Sequence, residues 1–475
     1  MARDLTDLAA TELAACIRAR RASALEVANA ALARIESTEP VVNAFIHLDA
    51  EGARAAAGDI DRRLAAGEDP GPLAGVPVSV KDLVHVAGMP TSFGSRAFAG
   101  AAAPEDAIPI ARLRAAGAVI VGKTTTPEFG HKPVTSGPLF GETLNPWNRA
   151  FSSGGSSGGA AASLATRQTP LAVGTDGGGS VRIPASVCGL FGLKATLGRI
   201  PHVHASDLFA NNAGIGPMAR SLDDLSLMYR IMAGTAPGDP WSKAAPPDPA
   251  RIDRPRVGWA LKVGNPAVEP DVAAACEAAV AALADLGAEI VPVEIDLTAD
   301  EPQFRVILET LLAARAGARV RAAPQDFDPT FVRTVENGFA RTGPETQNAA
   351  AARSALFRRI EKVFDAVDYL ATPTLAAASV PAEIDVHANV VIDGVDCGAI
   401  RAGWYPYTFP LNLTGHPALT MPCGWDRRGL PIGLQLAGRW HDEAGLIALA
   451  RKLDEALGVE RREWRALDAA ARPGR

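Results

Sequence analysis

Residues 151–184 read FSSGGSSGGAAASLATRQTPLAVGTDGGGSVRIP. Two glycine-rich loops, each carrying serine, flank a helical run over 160–166 and a strand-like run over 170–174. Glycine loses more backbone freedom on folding than any other residue, so a cluster this dense needs a structural reason. One such reason is a turn that gathers backbone N–H groups around a small negative charge. Gly177-Gly178-Gly179-Ser180 suits an oxyanion hole that ends in a nucleophilic hydroxyl. The bland alternative is a flexible linker, the usual meaning of a Gly/Ser run. The apolar residues packed tightly between the two loops argue against it.

Upstream, Val76-Pro77-Val78-Ser79-Val80-Lys81-Asp82-Leu83-Val84 alternates β-branched residues, which reads as a strand in a buried sheet. A lysine at the end of such a strand is expensive unless it is paired or neutral. Residues 5–37 carry the periodicity of two helices, the second capped by Ser23, and 52–67 reads as a third. Helices are also expected over 106–116 and 221–233, with a short strand over 118–121. Between 236 and 256 the chain is rich in proline and is expected to cross the surface. Beyond it, a strand (256–262), a helix (271–286) and a strand (289–295) form a pattern that favours a parallel or mixed sheet. Helices over 302–321, 346–366 and 442–457 and strands over 369–372, 418–422 and 432–436 complete the reading. The expected class is α/β, a central mixed sheet with helices on both faces. The expected organisation is one domain over 1–475. Its parts are N-terminal helices (1–70), a catalytic core (71–235), the Pro-rich connection (236–256) and a back portion (257–475) that completes the sheet and pocket.

Composition narrows the function. The 475 residues are 48% hydrophobic, enough for a large core, and the net charge of −6 is mild. No basic block favours nucleic acid or an anionic membrane. No apolar stretch reaches the length of a membrane span, and charges interrupt the first residues throughout, so no secretory signal is expected. Cys16, Cys188, Cys276, Cys397 and Cys423 are scattered, odd in number and form no CxxC pair. They read as reduced thiols of a cytoplasmic protein.

Two formal motifs are decoys. Gly117–Thr124 fits the phosphate-loop pattern G-x-x-x-x-G-K-T, but its variable positions are Ala, Val, Ile and Val, themselves a strand. Gly155–Gly159 fits the nucleophile elbow G-x-S-x-G with Ser157 at its centre, the basis of an alternative reading as an α/β-hydrolase-type esterase. An elbow follows a hydrophobic strand, whereas Asn145-Pro146-Trp147-Asn148-Arg149 is loop chemistry. Nothing marks His387, His416 or His441 as its base. What remains is a serine without a histidine partner, and some other base must take its proton. Lysine serves if desolvation brings its pKa towards neutrality. Lys81, set against apolar strand residues, is one candidate; a lysine reaching solvent from a strand end is the alternative.

At this point the chain resembles a known family, the amidase signature hydrolases. The resemblance rests on GPLAGVPVSVKD (71–82), AGAVIVGKTTTPEFG (116–130), NPW (145–147), GGSSGGAAA (154–162), GTDGGGSVRIPA (174–185), CGLFGLKATLGR (188–199), GPMARSLDD (216–224), TPT (372–374), NLTGHPALTMPCG (412–424) and GLPIGLQLAG (429–438). It runs nearly end to end and is weakest over 240–365. It implies an amidase signature fold and an amidase using a Ser–Ser–Lys triad of Lys81, Ser156 and Ser180. Ser180 would be the nucleophile. Ser156, on a cis peptide bond, would relay the proton to Lys81. The oxyanion hole would comprise the amides of Gly177, Gly178, Gly179 and Ser180. Ser157, Asp176 and Arg182 would hold the loops. No metal and no organic cofactor is implied.

Substrate would lie between the Lys81 strand, the 129–138 loop and the back portion, with Gly130, His131 and Trp404 as contacts. The aromatic run 404–409 suits a cap over an apolar or aryl amide and a place in the core equally; the expected substrate is an apolar or aryl amide, and esters or carbamates would also fit. The implied partner is a small-molecule amide, with no nucleic acid and no membrane; many relatives are homodimers. The second reading is the amidase-like component of a glutamyl/aspartyl-tRNA amidotransferase, which works with a partner and ATP. GHKPVTSGPLFG and FANNAGIG do not match the serine-rich and SLDQ-like segments of those components.

Overall fold

The computed structural model describes residues 4–244, 253–460, 462 and 464. Eleven strands form one sheet: Phe45–Leu48 (β1), Pro77–Lys81 (β2), Val119–Thr124 (β3), Leu171–Asp176 (β4), Phe191–Lys194 (β5), Gly214–Ala219 (β6), Arg256–Trp259 (β7), Glu289–Pro292 (β8), Tyr369–Pro373 (β9), Ala418–Trp425 (β10) and Pro431–Gly438 (β11). Their order is β1-β3-β2-β4-β6-β5-β10-β11-β9-β7-β8. The sheet is mixed. β2 runs parallel to both β3 and β4, and β7 runs parallel to β8 and β9, while the strands between them alternate.

Both faces are covered, because successive residues of one strand point to opposite sides. Leu171 and Val173 enter one apolar core and Ala172 the other; Tyr369 and Ala371 are divided from Leu370 in the same way. The first core takes the N-terminal helices Ala10–Arg18 and Ala24–Val42, and the second takes Arg182–Cys188 and the end of Gly343–Ala366. Strands from both sides of the Pro-rich connection share this sheet. Of the connection itself, residues 245–252 lie outside the described residues. Among the described residues, no helix is long and apolar enough to cross a membrane.

The expected long elements are present with shifted ends: the third helix spans Ala50–Ala65, and the strand expected over 256–262 stops at Trp259. Three strands of this sheet (β1, β5, β6) were not anticipated, nor were the helices Arg182–Cys188, Pro329–Ala340 and Phe409–Thr414. Arg182–Cys188 and Phe409–Thr414 are buried at every residue, so neither has the polar face that makes a helix legible.

Candidate active site

The site forms at one edge of the sheet, where the parallel strands β2, β3 and β4 end together. The carboxyl ends of parallel strands are where α/β folds open crevices. Lys81 is the last residue of β2, Asp176 the last of β4, and the segment after β3 returns through Glu128–Gly130. Val78 and Val80 are fully buried, which fixes the strand and drives Lys81 inside with them, at 0% exposure.

Lys81 Nζ lies 2.7 Å from Ser156 Oγ and 2.9 Å from Thr175 Oγ1. Burial pushes its pKa well below the ordinary lysine value, and Asp176 opposes this in part. The Gly155–Ser156 peptide bond is cis. The glycines around it permit close approach. A Cβ on Gly155 would meet Val134 N at 2.6 Å, and one on Gly130 would meet Ser156 Oγ at 2.8 Å. Ser156 and Ser180 line one cleft, together with Gly177 and Gly178.

The second glycine loop is pinned from behind. Asp176 accepts from the amides of Gly179 (2.7 Å) and Val181 (3.2 Å) and from Arg182 Nε and Nη2, each at 3.0 Å. Burial alone would raise the Asp176 carboxyl. The charge and hydrogen bonds of Arg182, with Lys194 and Asn412, outweigh that and hold it well below the usual carboxylate range. Arg182 also donates to Gln435 Oε1 and Asn412 Oδ1, each at 2.7 Å. One expectation changes here. The Gly179 N–H, assigned to the oxyanion hole, donates to Asp176, and Gly179 does not line the cleft.

Ser157 is fully buried, outside the cleft, and its hydroxyl donates to the Thr175 carbonyl at 3.3 Å. None of His387, His416 and His441 lines the cleft, so the elbow reading finds neither its nucleophile nor its base there. Lys123, the lysine of the phosphate-loop decoy, is buried within β3 and ion-paired to Asp82 at 3.0 Å.

Gly130 and His131 line the cleft as expected. His131 is wedged between the Glu128 carbonyl and Thr330 Oγ1, each 2.8 Å from a ring nitrogen, and burial keeps it neutral. Trp404 does not line it. The ring is completely buried and its indole N–H donates to the Ala377 carbonyl at 2.9 Å. Tyr407 and Phe409 are core as well, and of the aromatic run only Tyr405 reaches the cleft. The apolar wall comes instead from the helix Glu301–Ala322, through Phe304, Ile307, Leu308, Leu311 and Leu312. The sequence reading also missed Thr175, Arg401 and the 202–213 segment. Among the described residues, no group of three or more His, Cys, Asp or Glu side chains is placed to hold a metal ion.

The Amidase family model matches residues 26–447. The chain is 35% identical to an acylamidase from Rhodococcus erythropolis, over 94% of this chain and 95% of that protein. It is 36% identical to the A component of a glutamyl-tRNA(Gln) amidotransferase from Chloroflexus aurantiacus, again covering 94% and 95%. The fold superposes on a bacterial aryl acylamidase of the amidase signature enzymes with a TM-score of 0.88 and 26% identity, covering 94% and 96%. With a buried lysine and two serines gathered at the strand ends, and matches that span nearly the whole chain, the protein belongs to the amidase signature family of amide-hydrolysing enzymes.

Proposed function

We propose that this enzyme hydrolyses small apolar or aryl carboxamides through an acyl-enzyme on Ser180, with Ser156 and Lys81 as its proton relay. The observation that carries the reading is the placement of Lys81: wholly buried, its Nζ 2.7 Å from a serine hydroxyl that opens on an apolar cleft. A neutral amine has one lone pair, which accepts from Ser156, while an N–H donates to Thr175. Ser156 takes the proton of Ser180 as it passes its own to Lys81, and Ser180 Oγ attacks the amide carbonyl. The oxyanion rests on the amides of Gly177, Gly178 and Ser180, where losing one donor typically costs about 3–4 kcal/mol. Ser156 then protonates the leaving nitrogen, the amine departs, and water activated by the same relay releases the acid. Amines leave poorly unless protonated, so the relay matters more for amides than for the esters and carbamates that fit the same cleft. Asp176, Arg182 and Ser157 act by holding the loops. The chain works as one domain.

Labelling with a serine-reactive sulfonyl fluoride, read by intact mass and peptide mapping, tests this. The expected result is one adduct on Ser180 that is lost in Lys81→Ala. An adduct on Ser157 overturns the triad. The second reading, a component of a tRNA-dependent amidotransferase, is favoured by the 36% identity to the corresponding chain of such an enzyme. Hydrolysis of a simple anilide by the purified chain alone, without ATP or a co-purifying partner, decides against it.

A further inference from the structure

Among the described residues, the cleft is lined by no aspartate and no glutamate, yet two arginines face it. Lys132 lines it too, but its charge is answered by Asp328 at 2.7 Å. Arg315 has no such answer. It is an exposed residue of the helix Glu301–Ala322 that lines the cleft and lies over the rings of Phe93 (5.5 Å) and Phe129 (5.1 Å), with no ion pair or hydrogen bond to the described residues. Arg401 is half-buried. Its Nη2 reaches the His131 carbonyl only at 3.4 Å, and its buried Nε has no partner. A buried N–H donor without an acceptor is rare in folded proteins and asks for an explanation. The four histidines of the lining cannot supply counter-charge, since a histidine is neutral or positive.

The placement is as informative as the charge. Phe129, Gly130 and His131 form one short loop, and Gly130 abuts the Ser156 hydroxyl. Arg315 lies against that loop at Phe129 and Arg401 at His131, so both guanidiniums adjoin the loop that abuts the candidate relay serine, Ser156. The same cleft carries the apolar wall of Phe304, Ile307, Leu308, Leu311 and Leu312. Such a cleft offers an anion two charge-assisted hydrogen-bonding groups and offers its carbon chain a dry wall.

We propose that the enzyme selects amides that carry a carboxylate at the end of an apolar segment, with Arg401 and Arg315 as the carboxylate subsite. The proposal rests on the amidase reading for its reaction, but its binding half can be tested alone. Calorimetric binding of hydrocinnamate and of hydrocinnamyl alcohol to the full chain compares an anion with a neutral molecule of like shape. Charge-assisted pairing predicts that the acid binds on the order of tenfold more tightly, and that added salt weakens this preference. The preference should fall in Arg401→Gln and Arg315→Gln and be partly restored in Arg401→Lys, with the unfolding midpoint confirming that each variant is folded. Equal binding of acid and alcohol by the unaltered protein overturns the proposal, as does a preference unchanged in both glutamine variants.

Turnover of glutaryl p-nitroanilide against valeryl p-nitroanilide then carries the same comparison to catalysis, with kcat/KM expected to favour the glutaryl compound. If neither anilide is cleaved while the arginine-dependent preference persists, the catalytic reading fails and the subsite stands. If the valeryl compound is cleaved at least as well as the glutaryl one and binding shows no preference, the subsite fails and the catalytic reading stands.

Discussion

Lys81 sits where its chemistry and its stability conflict. The folded protein withholds water from Lys81 and pushes its pKa well below the ordinary lysine value, the direction that the proposed relay through Ser156 requires. The unfolded chain carries the same lysine charged up to about pH 10.4. Between the depressed folded pKa and that value the unfolded state binds the extra proton, so this residue's contribution to stability rises with pH. Lys81→Met, which cannot charge, should therefore unfold at a higher temperature than the parent near pH 7. The gap should narrow as pH approaches 10, and scanning calorimetry at several pH values would show it. A gap independent of pH would mean that Lys81 is charged in the folded protein. The same variant should lose activity by several orders of magnitude, since it leaves Ser156 without an acceptor. In the unaltered enzyme kcat/KM should decline as pH falls through the depressed Lys81 pKa, because the protonated amine has no lone pair to offer. This residue was legible in the sequence as a lysine at the end of a buried strand. Thr175, which completes its environment at 2.9 Å, was not, because a threonine in a strand is ordinary there.

Elements differ in how much of their role the sequence discloses. The strand β2 and the glycine loops announce themselves, since strict alternation and dense glycine seldom arise without a buried strand or a tight turn behind them. The helix Glu301–Ala322 was expected as a helix, but nothing in its periodicity says that one of its apolar stripes faces a cleft instead of a core. The aromatic run fails in the opposite direction. Rings suit a substrate wall and a core equally well, and here Trp404, Tyr407 and Phe409 are core. Two variants separate these roles. Trp404→Ala should lower stability by about 3–5 kcal/mol, the usual cost of emptying a large aromatic site, while leaving the relative rates on short and long acyl anilides unchanged. Leu311→Trp, in the cleft wall, should leave the unfolding midpoint nearly unaltered and lower the hexanoyl-to-acetyl ratio of kcat/KM by on the order of tenfold. A change of selectivity in Trp404→Ala would return that ring to the substrate wall.

Across the whole molecule, one buried charge pair of the front portion also reaches into the back portion. Asp176 ends β4, before the Pro-rich connection, while Asn412 and Gln435 come from beyond it, and Arg182 binds all three. The family resemblance marked Asp176 and Arg182 as residues that hold the loops. It could not show their long-range partners, because those lie more than two hundred residues away. Arg182→Met would leave the Asp176 carboxylate buried beside its two backbone amides and Asn412, without its main counter-charge. Removing one partner of a buried pair typically costs about 3–5 kcal/mol. The pH dependence gives the sign. In the parent the Asp176 pKa is depressed, so its stabilisation is complete above the ordinary aspartate pKa of about 3.9 and is lost only as pH falls below it. In the variant burial dominates and disfavours the charged form, so the penalty should be small near pH 4 and grow towards pH 7. Chemical denaturation of both proteins at the two pH values measures this. Because the pair also fixes the Gly177–Ser180 loop, kcat should fall in Arg182→Met at temperatures where the variant is still folded. A variant with normal kcat and a pH-independent loss of stability would mean that the loop keeps its shape without the pair, and that Arg182 serves packing alone.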